Sequence, residues 1–235
     1  MIEKIGTEQG RYLSKPNEQV IKYLEKMLLN NPSPLTVAEI GVGVGATSLE
    51  IVKRLREQDS YHFFSFSNEV DELYADLIEL GVVCKLVPFG NSTKIYDSFC
   101  WPLAKLALEI DSKSGIYNLV FLDGAHNLNF TGLGCAILKT LIKPDGYFIF
   151  DDLHWSYGNS PNMNPSVFPK ILDLYTEEQV NAKQVELVVD IFMERDREWL
   201  RIDREKGCAI YKRKPVKNQL VKSLRDLKKA LFRVS

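Results

Sequence analysis

From residue 35 onward, short and almost wholly apolar runs alternate with segments of helical period, and few folds accommodate that alternation. Residues 35–40, 61–67, 82–87, 116–122 and 147–150 read as strands. Residues 46–57, 70–80, 96–110 (with Pro102 as an interruption) and 130–142 read as the helices between them. Strands that are apolar along their whole length are buried on both faces, and helical crossovers between them make them parallel. The expected fold is therefore α/β: a Rossmann-like, doubly wound, mostly parallel sheet with helices on both faces. A further helix is expected at 170–176. Two more strands are expected at 185–192 and 208–212, where the intervening stretch 194–206 is too polar for a crossover helix. They predict an antiparallel hairpin at one edge of the sheet.

The chain of 235 residues, 45% hydrophobic, is long enough for one large core, and no linker divides it. Three parts are expected: an N-terminal helical segment at 1–34, the main domain at 35–213, and a basic amphipathic C-terminal helix at 214–235. The four cysteines are far apart and form no CxxC pair, which argues against a structural zinc and for free thiols in a reducing compartment. The polar N-terminus lacks a signal-peptide core, and no apolar run is long enough to span a bilayer, so a cytoplasmic protein is expected. Between Lys212 and Ser235 lie nine Lys or Arg and one acid, Asp226. Removing these from the chain's 30 basic and 31 acidic residues leaves 21 against 30, so the body is acidic and nucleic acid is not an expected partner. The apolar stripe Val216, Leu220, Val221, Leu224, Leu227 and Leu231 in the tail points to packing or a homodimer first, and to peripheral contact with an anionic membrane second.

Gly41, Gly43 and Gly45 stand between the first strand and the next helix. A turn there brings backbone N–H groups and a positive helix terminus close to a ligand. The spacing fits a dinucleotide fingerprint formally, but strand two ends Phe64-Ser65-Phe66-Ser67 without the acid that version needs on the ribose. The run from Val37 through Glu39 and the three glycines to Ser48 resembles the first motif of class I methyltransferases. That resemblance implies S-adenosylmethionine as cofactor, with Glu39 near its methionine amino end. It also implies a ribose acid after strand two, a role that falls to Ser67 or Glu69 here.

Strand four ends at Asp123, followed by Gly124-Ala125-His126, and strand five ends at Asp151-Asp152. Sequential parallel strands are usually neighbours, so the three carboxylates should converge at the carboxyl edge of the sheet, where open α/β folds bind ligands. Crowded carboxylates call for a cation, and all-oxygen ligation suits Mg²⁺ or Mn²⁺. Asp123 thus serves the cation and the cofactor end of the site alike. The layout resembles metal-dependent O-methyltransferases of the catechol type, and more closely those acting on sugars of macrolide and related natural products. The resemblance covers about half the chain, from Val37 to His154. It implies transfer to a hydroxyl of a small molecule or glycan.

His126, three residues after Asp123, is the candidate general base: imidazole titrates near neutral pH, and the resemblance to sugar O-methyltransferases implies this role for the matching histidine. The uncharged segment Trp155 to Pro169, rich in Asn, Pro and aromatic residues, offers Trp155 and Tyr157 as candidate acceptor contacts, and His154 just before it offers a third. Two other classes compete: an NAD-linked or nucleotide-sugar oxidoreductase on the same glycine turn, and a non-catalytic scaffold of this fold. Neither uses the acidic cluster.

Overall fold

A computed structural model of the chain describes residues 1–8, 15–111, 113–205 and 207–215. The expected C-terminal helix therefore lies outside the described residues from Val216 onward. Seven strands form one sheet: β1 (Thr36–Ile40), β2 (Ser60–Phe66), β3 (Lys85–Asn91), β4 (Tyr117–Leu122), β5 (Ile142–Phe150), β6 (Trp199–Glu205) and β7 (Cys208–Arg213). Their order is β3-β2-β1-β4-β5-β7-β6. The first five are parallel, and β7 pairs antiparallel with both β5 and β6. The winding reverses between β1 and β4, which creates a crevice at their carboxyl ends.

Alternation along each strand explains the layers. Tyr117, Val120, Phe148 and Phe150 join one buried cluster, and Leu119, Phe121, Tyr147 and Ile149 the other. The first cluster is covered by α4 (Cys100–Glu109), α5 (Leu128–Leu141) and α7 (Gln184–Phe192). The second lies under α1 (Glu18–Asn30), α2 (Ala46–Val52) and α3 (Ser67–Glu79). Asn17 caps α1, its Oδ1 accepting from the N–H groups of Gln19 and Val20 at 3.0 and 3.1 Å. The helix then lays Val20, Tyr23 and Leu24 onto the sheet. Described in this way, the N-terminal segment is one of the helices of the second layer.

Four local expectations are corrected. Residues 185–192 are helix α7, not a strand. Their β-branched content suits a strand, but Val185, Val188, Val189 and Phe192 repeat at helical spacing and face α5. The hairpin at the sheet edge exists, but its second strand is β6, drawn from the charged stretch; an edge strand with a solvated face tolerates that polarity. Strand β3 begins at Lys85 and continues through Pro88 to Asn91, because an edge strand leaves one row of N–H groups unpaired and accepts a proline. Residues Pro169–Asp173 form a 3-10 turn, followed by a short helix α6 (Glu177–Asn181) with a Thr176 capping box, where a single helix was expected.

Candidate functional site

Strand β1 ends in a turn that no side chain at Gly41 could enter. Its φ is +86°, and a Cβ there would lie 2.2 Å from the carbonyl oxygen of Asp123. That contact draws the ends of β1 and β4 together at the switch point. Gly43 (φ +52°) follows, and Gly45 caps α2 with φ +82°. A cleft of about 590 Å³ opens over this turn, lined by Glu39, Gly41, Gly43, Glu69, Asp123 and Asp152 among others. Its size is in the usual range for small-molecule and cofactor sites. Gly45 itself does not line it.

Glu39 is 1% exposed. Its Oε2 accepts from Ser48 Oγ at 2.8 Å and from the Tyr61 hydroxyl. Burial pushes its carboxyl up to about 8, more than the two hydrogen bonds pull it down. After β2, Glu69 on the first turn of α3 reaches back to accept from Ser65 Oγ, and both line the cleft. Ser67 does not line it; its hydroxyl donates to the Asn91 carbonyl at 3.2 Å. Of the two residues expected to replace a ribose acid, Glu69 is the one brought to the cleft.

The carboxyl ends of β4 and β5 meet as neighbours. Asp123, His126 and Asp152 each offer a donor atom, and these atoms lie within 4.8 Å of one another. His126 Nε2 is 2.9 Å from Asp152 Oδ2 and 3.5 Å from Asp123 Oδ1. It is buried, yet neither carboxylate lies in line with a ring N–H, so it has no hydrogen bond. Burial lowers the affinity of the His126 ring for a proton, but the two carboxylates outweigh this and push it up to about 9. Burial pushes Asp123 up to about 7; His126 opposes this and the charges of Asp151 and Asp152 add to it. Ala125, His126 and Asp152 all have φ between +48° and +68°, a left-handed backbone that non-glycine residues seldom adopt. Strain clustered at one place is a mark of functional sites.

Asp151 also lines the cleft but is held differently. Its Oδ2 accepts from Asn17 Nδ2 at 2.6 Å, and its Oδ1 from Cys208 Sγ at 3.0 Å and from the Asp152 N–H at 2.9 Å. The Trp155 ring lies 4.9 Å from His126, centre to centre, but packs against the small cluster around Tyr157 and does not line the cleft. Tyr157 is buried in a separate small cluster, its hydroxyl 3.1 Å from that of Tyr175. His154 is exposed and does not line the cleft. His62 stays in the interior, 3.1 Å from the Tyr117 hydroxyl.

Several lining residues were not singled out in the sequence: Lys15, Thr47, Asn91, Asp97 and Phe99. For Asn91 a signal existed, since extending β3 past Pro88 places Asn91 at the same sheet edge as Asp123. Thr47 stands on the first turn of α2, and the others come from the N-terminal segment and the loop before α4, where no periodicity marks them.

No family model matches the chain, and no curated protein matches it. Solved structures do. A protein of Corynebacterium glutamicum matches with a TM-score of 0.59 at 13% identity, over 92% of this chain and 90% of that one. A putative caffeoyl-CoA O-methyltransferase from Staphylococcus aureus matches at 0.55 and 14% identity, over 90% and 91%. A methyltransferase of Podospora anserina, bound to S-adenosylhomocysteine, matches at 0.53 and 17% identity, over 83% and 78%. With its β3-β2-β1-β4-β5-β7-β6 sheet and glycine turn after β1, the chain has the fold of the class I S-adenosylmethionine-dependent methyltransferases.

Proposed function

We propose that this chain transfers the methyl group of S-adenosylmethionine to a hydroxyl oxygen, with a divalent cation at the acceptor end of the cleft. One observation carries the reading: the glycine turn and the Asp123–His126–Asp152 group share a single cleft at the switch point of the sheet. The likeness to a methyltransferase bound to S-adenosylhomocysteine and to a putative caffeoyl-CoA O-methyltransferase supports it.

The residues fit both groups. The glycine turn brings the backbone of Gly41 and Gly43 and the start of α2 at Ala46 and Thr47 to the lining of the cleft, where a ligand meets a helix N-terminus. At the other end, the buried His126 Nε2 without a hydrogen bond, facing two carboxylates, is a donor set that a cation completes. With Asp151 as a further oxygen donor the set suits Mg²⁺; with the imidazole included it suits Mn²⁺ at least as well. The cofactor supplies an electrophilic methyl on a sulfonium, and the cation supplies a charge that makes an acceptor hydroxyl more acidic.

The chain's own residues do the rest. Glu39 receives the amino end of the cofactor, and Glu69, braced by Ser65, takes the ribose hydroxyls. His126 holds one of two roles, ligand to the cation or acceptor of the hydroxyl proton, and each requires a free lone pair on the ring. The acceptor is a sugar or another small-molecule alcohol, bound beside the Asp123–His126–Asp152 group.

The test begins with calorimetry. Wild type should bind S-adenosylhomocysteine, and Gly43→Val should lose at least about 100-fold in affinity, because a branched side chain at a left-handed glycine is both strained and in the way. Binding of NAD(H) with none of S-adenosylhomocysteine would instead establish the oxidoreductase reading. Methyl transfer that persists fully in EDTA would remove the cation from the proposal.

A further inference from the structure

We propose that Asn17 is a positioning residue for Asp151, and that through it the docking of the N-terminal helix and the binding of a divalent cation in the cleft are coupled. The proposal rests on the cation reading above and adds to it a part of the chain outside the glycine turn and the strand ends.

Asn17 has four polar groupings, and all are engaged. Its backbone N–H donates to Thr47 Oγ1 at 3.0 Å, on the first turn of α2 beside the glycines. Its carbonyl accepts from Ile21 at 3.3 Å, and its Oδ1 caps α1. Its Nδ2 donates to Asp151 Oδ2 at 2.6 Å and lies 3.4 Å from Cys208 Sγ. A helix cap needs only the oxygen; serine or threonine would suffice. The amide nitrogen is the extra function, and it is spent on a carboxylate 134 residues away.

The donors around Asp151 are also of one kind. Asn17, the Cys208 thiol and the Asp152 N–H are all uncharged. A lysine or arginine would fix the carboxylate equally well but would cancel its charge beside Asp123 and Asp152. Neutral donors fix its direction and leave the negative charge for a cation. They also fix Asp152, because the Asp151 side chain holds the Asp152 N–H where the backbone turns into its left-handed conformation. Lys15, two residues before Asn17, lines the same cleft, so the segment that Asn17 anchors forms part of the cleft wall.

One amide therefore connects the first turn of α1 to the acidic end of β5. If a cation draws Asp151 into a fixed position, opening of that turn becomes harder, and by reciprocity loosening the turn weakens the cation.

The full chain and three variants test this, with Mn²⁺ as the probe. Free Mn²⁺ is followed by electron paramagnetic resonance, and amide exchange is read at Gln19 and Val20. Asn17→Ser keeps an oxygen for the cap and removes the donor to Asp151. It should bind Mn²⁺ about 10–100-fold more weakly at nearly unchanged melting temperature, as losses of outer hydrogen-bond partners usually do. Mn²⁺ should slow exchange at Gln19 and Val20 in wild type and not in Asn17→Ser. Asn17→Ala should lose both cap and affinity. Cys208→Ala leaves α1 untouched and removes the second donor, so it should also weaken Mn²⁺. Wild-type Mn²⁺ affinity in folded Asn17→Ser, or in folded Asn17→Ala should the serine variant not fold, would overturn the positioning role alone. No Mn²⁺ binding by wild type would overturn this proposal together with the cation reading beneath it.

Discussion

At the scale of single residues, Glu39 shows how the site is tuned. The carboxyl is buried beside Ser48 and Tyr61, and its pKa is pushed from an ordinary 4.5 to about 8, chiefly by burial. Between those two values the folded chain holds a proton that the unfolded chain has released. Stability then falls as pH rises through the window, by up to about 1.4 kcal/mol per pH unit, and the protonated contribution is gone above the folded value. Glu39→Gln keeps the hydrogen-bonding oxygen and cannot ionise. We expect urea midpoints of wild type to decline from pH 5 to pH 8 and those of Glu39→Gln to decline much less. Asp123, pushed up to about 7, acts with the same sign, so a residual slope is expected. A slope equal to wild type would mean that Glu39 is ionised throughout. Glu39, Asp123 and Asp152 were legible in the sequence because strand ends are readable and their side chains stand at one edge. Asn17 and Cys208 were not. Their roles exist only through contacts across 134 and 57 residues, which no local pattern encodes.

Elements follow the same division. Strands β1, β2, β4 and β5 were readable because burial on both faces forces continuous apolar sequence, and helices α1 to α5 because one apolar stripe repeats. Helix α7 was misread from its valines, although its spacing was helical, since a nine-residue segment with four β-branched residues satisfies both templates. Packing between helices adds a constraint that composition conceals. Gly134 lies in α5 where a Cβ would come within 2.5 Å of the Phe99 ring. Alanine would ordinarily favour a helix by about 1 kcal/mol over glycine. Here Phe99 is 7% exposed and has little room to retreat, so overpacking should outweigh that gain. Gly134→Ala is expected to destabilise the fold by about 1–2 kcal/mol. Because Phe99 also lines the cleft, the same change should weaken S-adenosylhomocysteine binding. A more stable variant with unchanged affinity would show that the α4–α5 contact gives way easily.

For the molecule as a whole, the cleft is assembled from the segment before α1, the turn after β1, the ends of β2 and β3, and the ends of β4 and β5. A ligand filling it touches elements from both layers, so binding should be felt in global unfolding and not only locally. The sequence made this arrangement readable through the order of strands and the switch point, while the lining contributed by Lys15 and Phe99 emerged only from the folded chain. Linkage gives the expected size. A ligand that binds only the folded state adds about 2.7 kcal/mol at a concentration 100 times its Kd. For a chain of this length each kcal/mol moves Tm by about 2–4 °C, so S-adenosylhomocysteine at that concentration should raise Tm by about 5–10 °C. The same concentration of NAD(H) should leave Tm within about 1 °C, since a ligand with no affinity for the fold contributes nothing to the linkage. In Gly43→Val the shift with S-adenosylhomocysteine should collapse toward the NAD(H) value. A large shift retained in that variant would place the ligand away from the glycine turn, and a shift with NAD(H) alone would reverse the choice of cofactor.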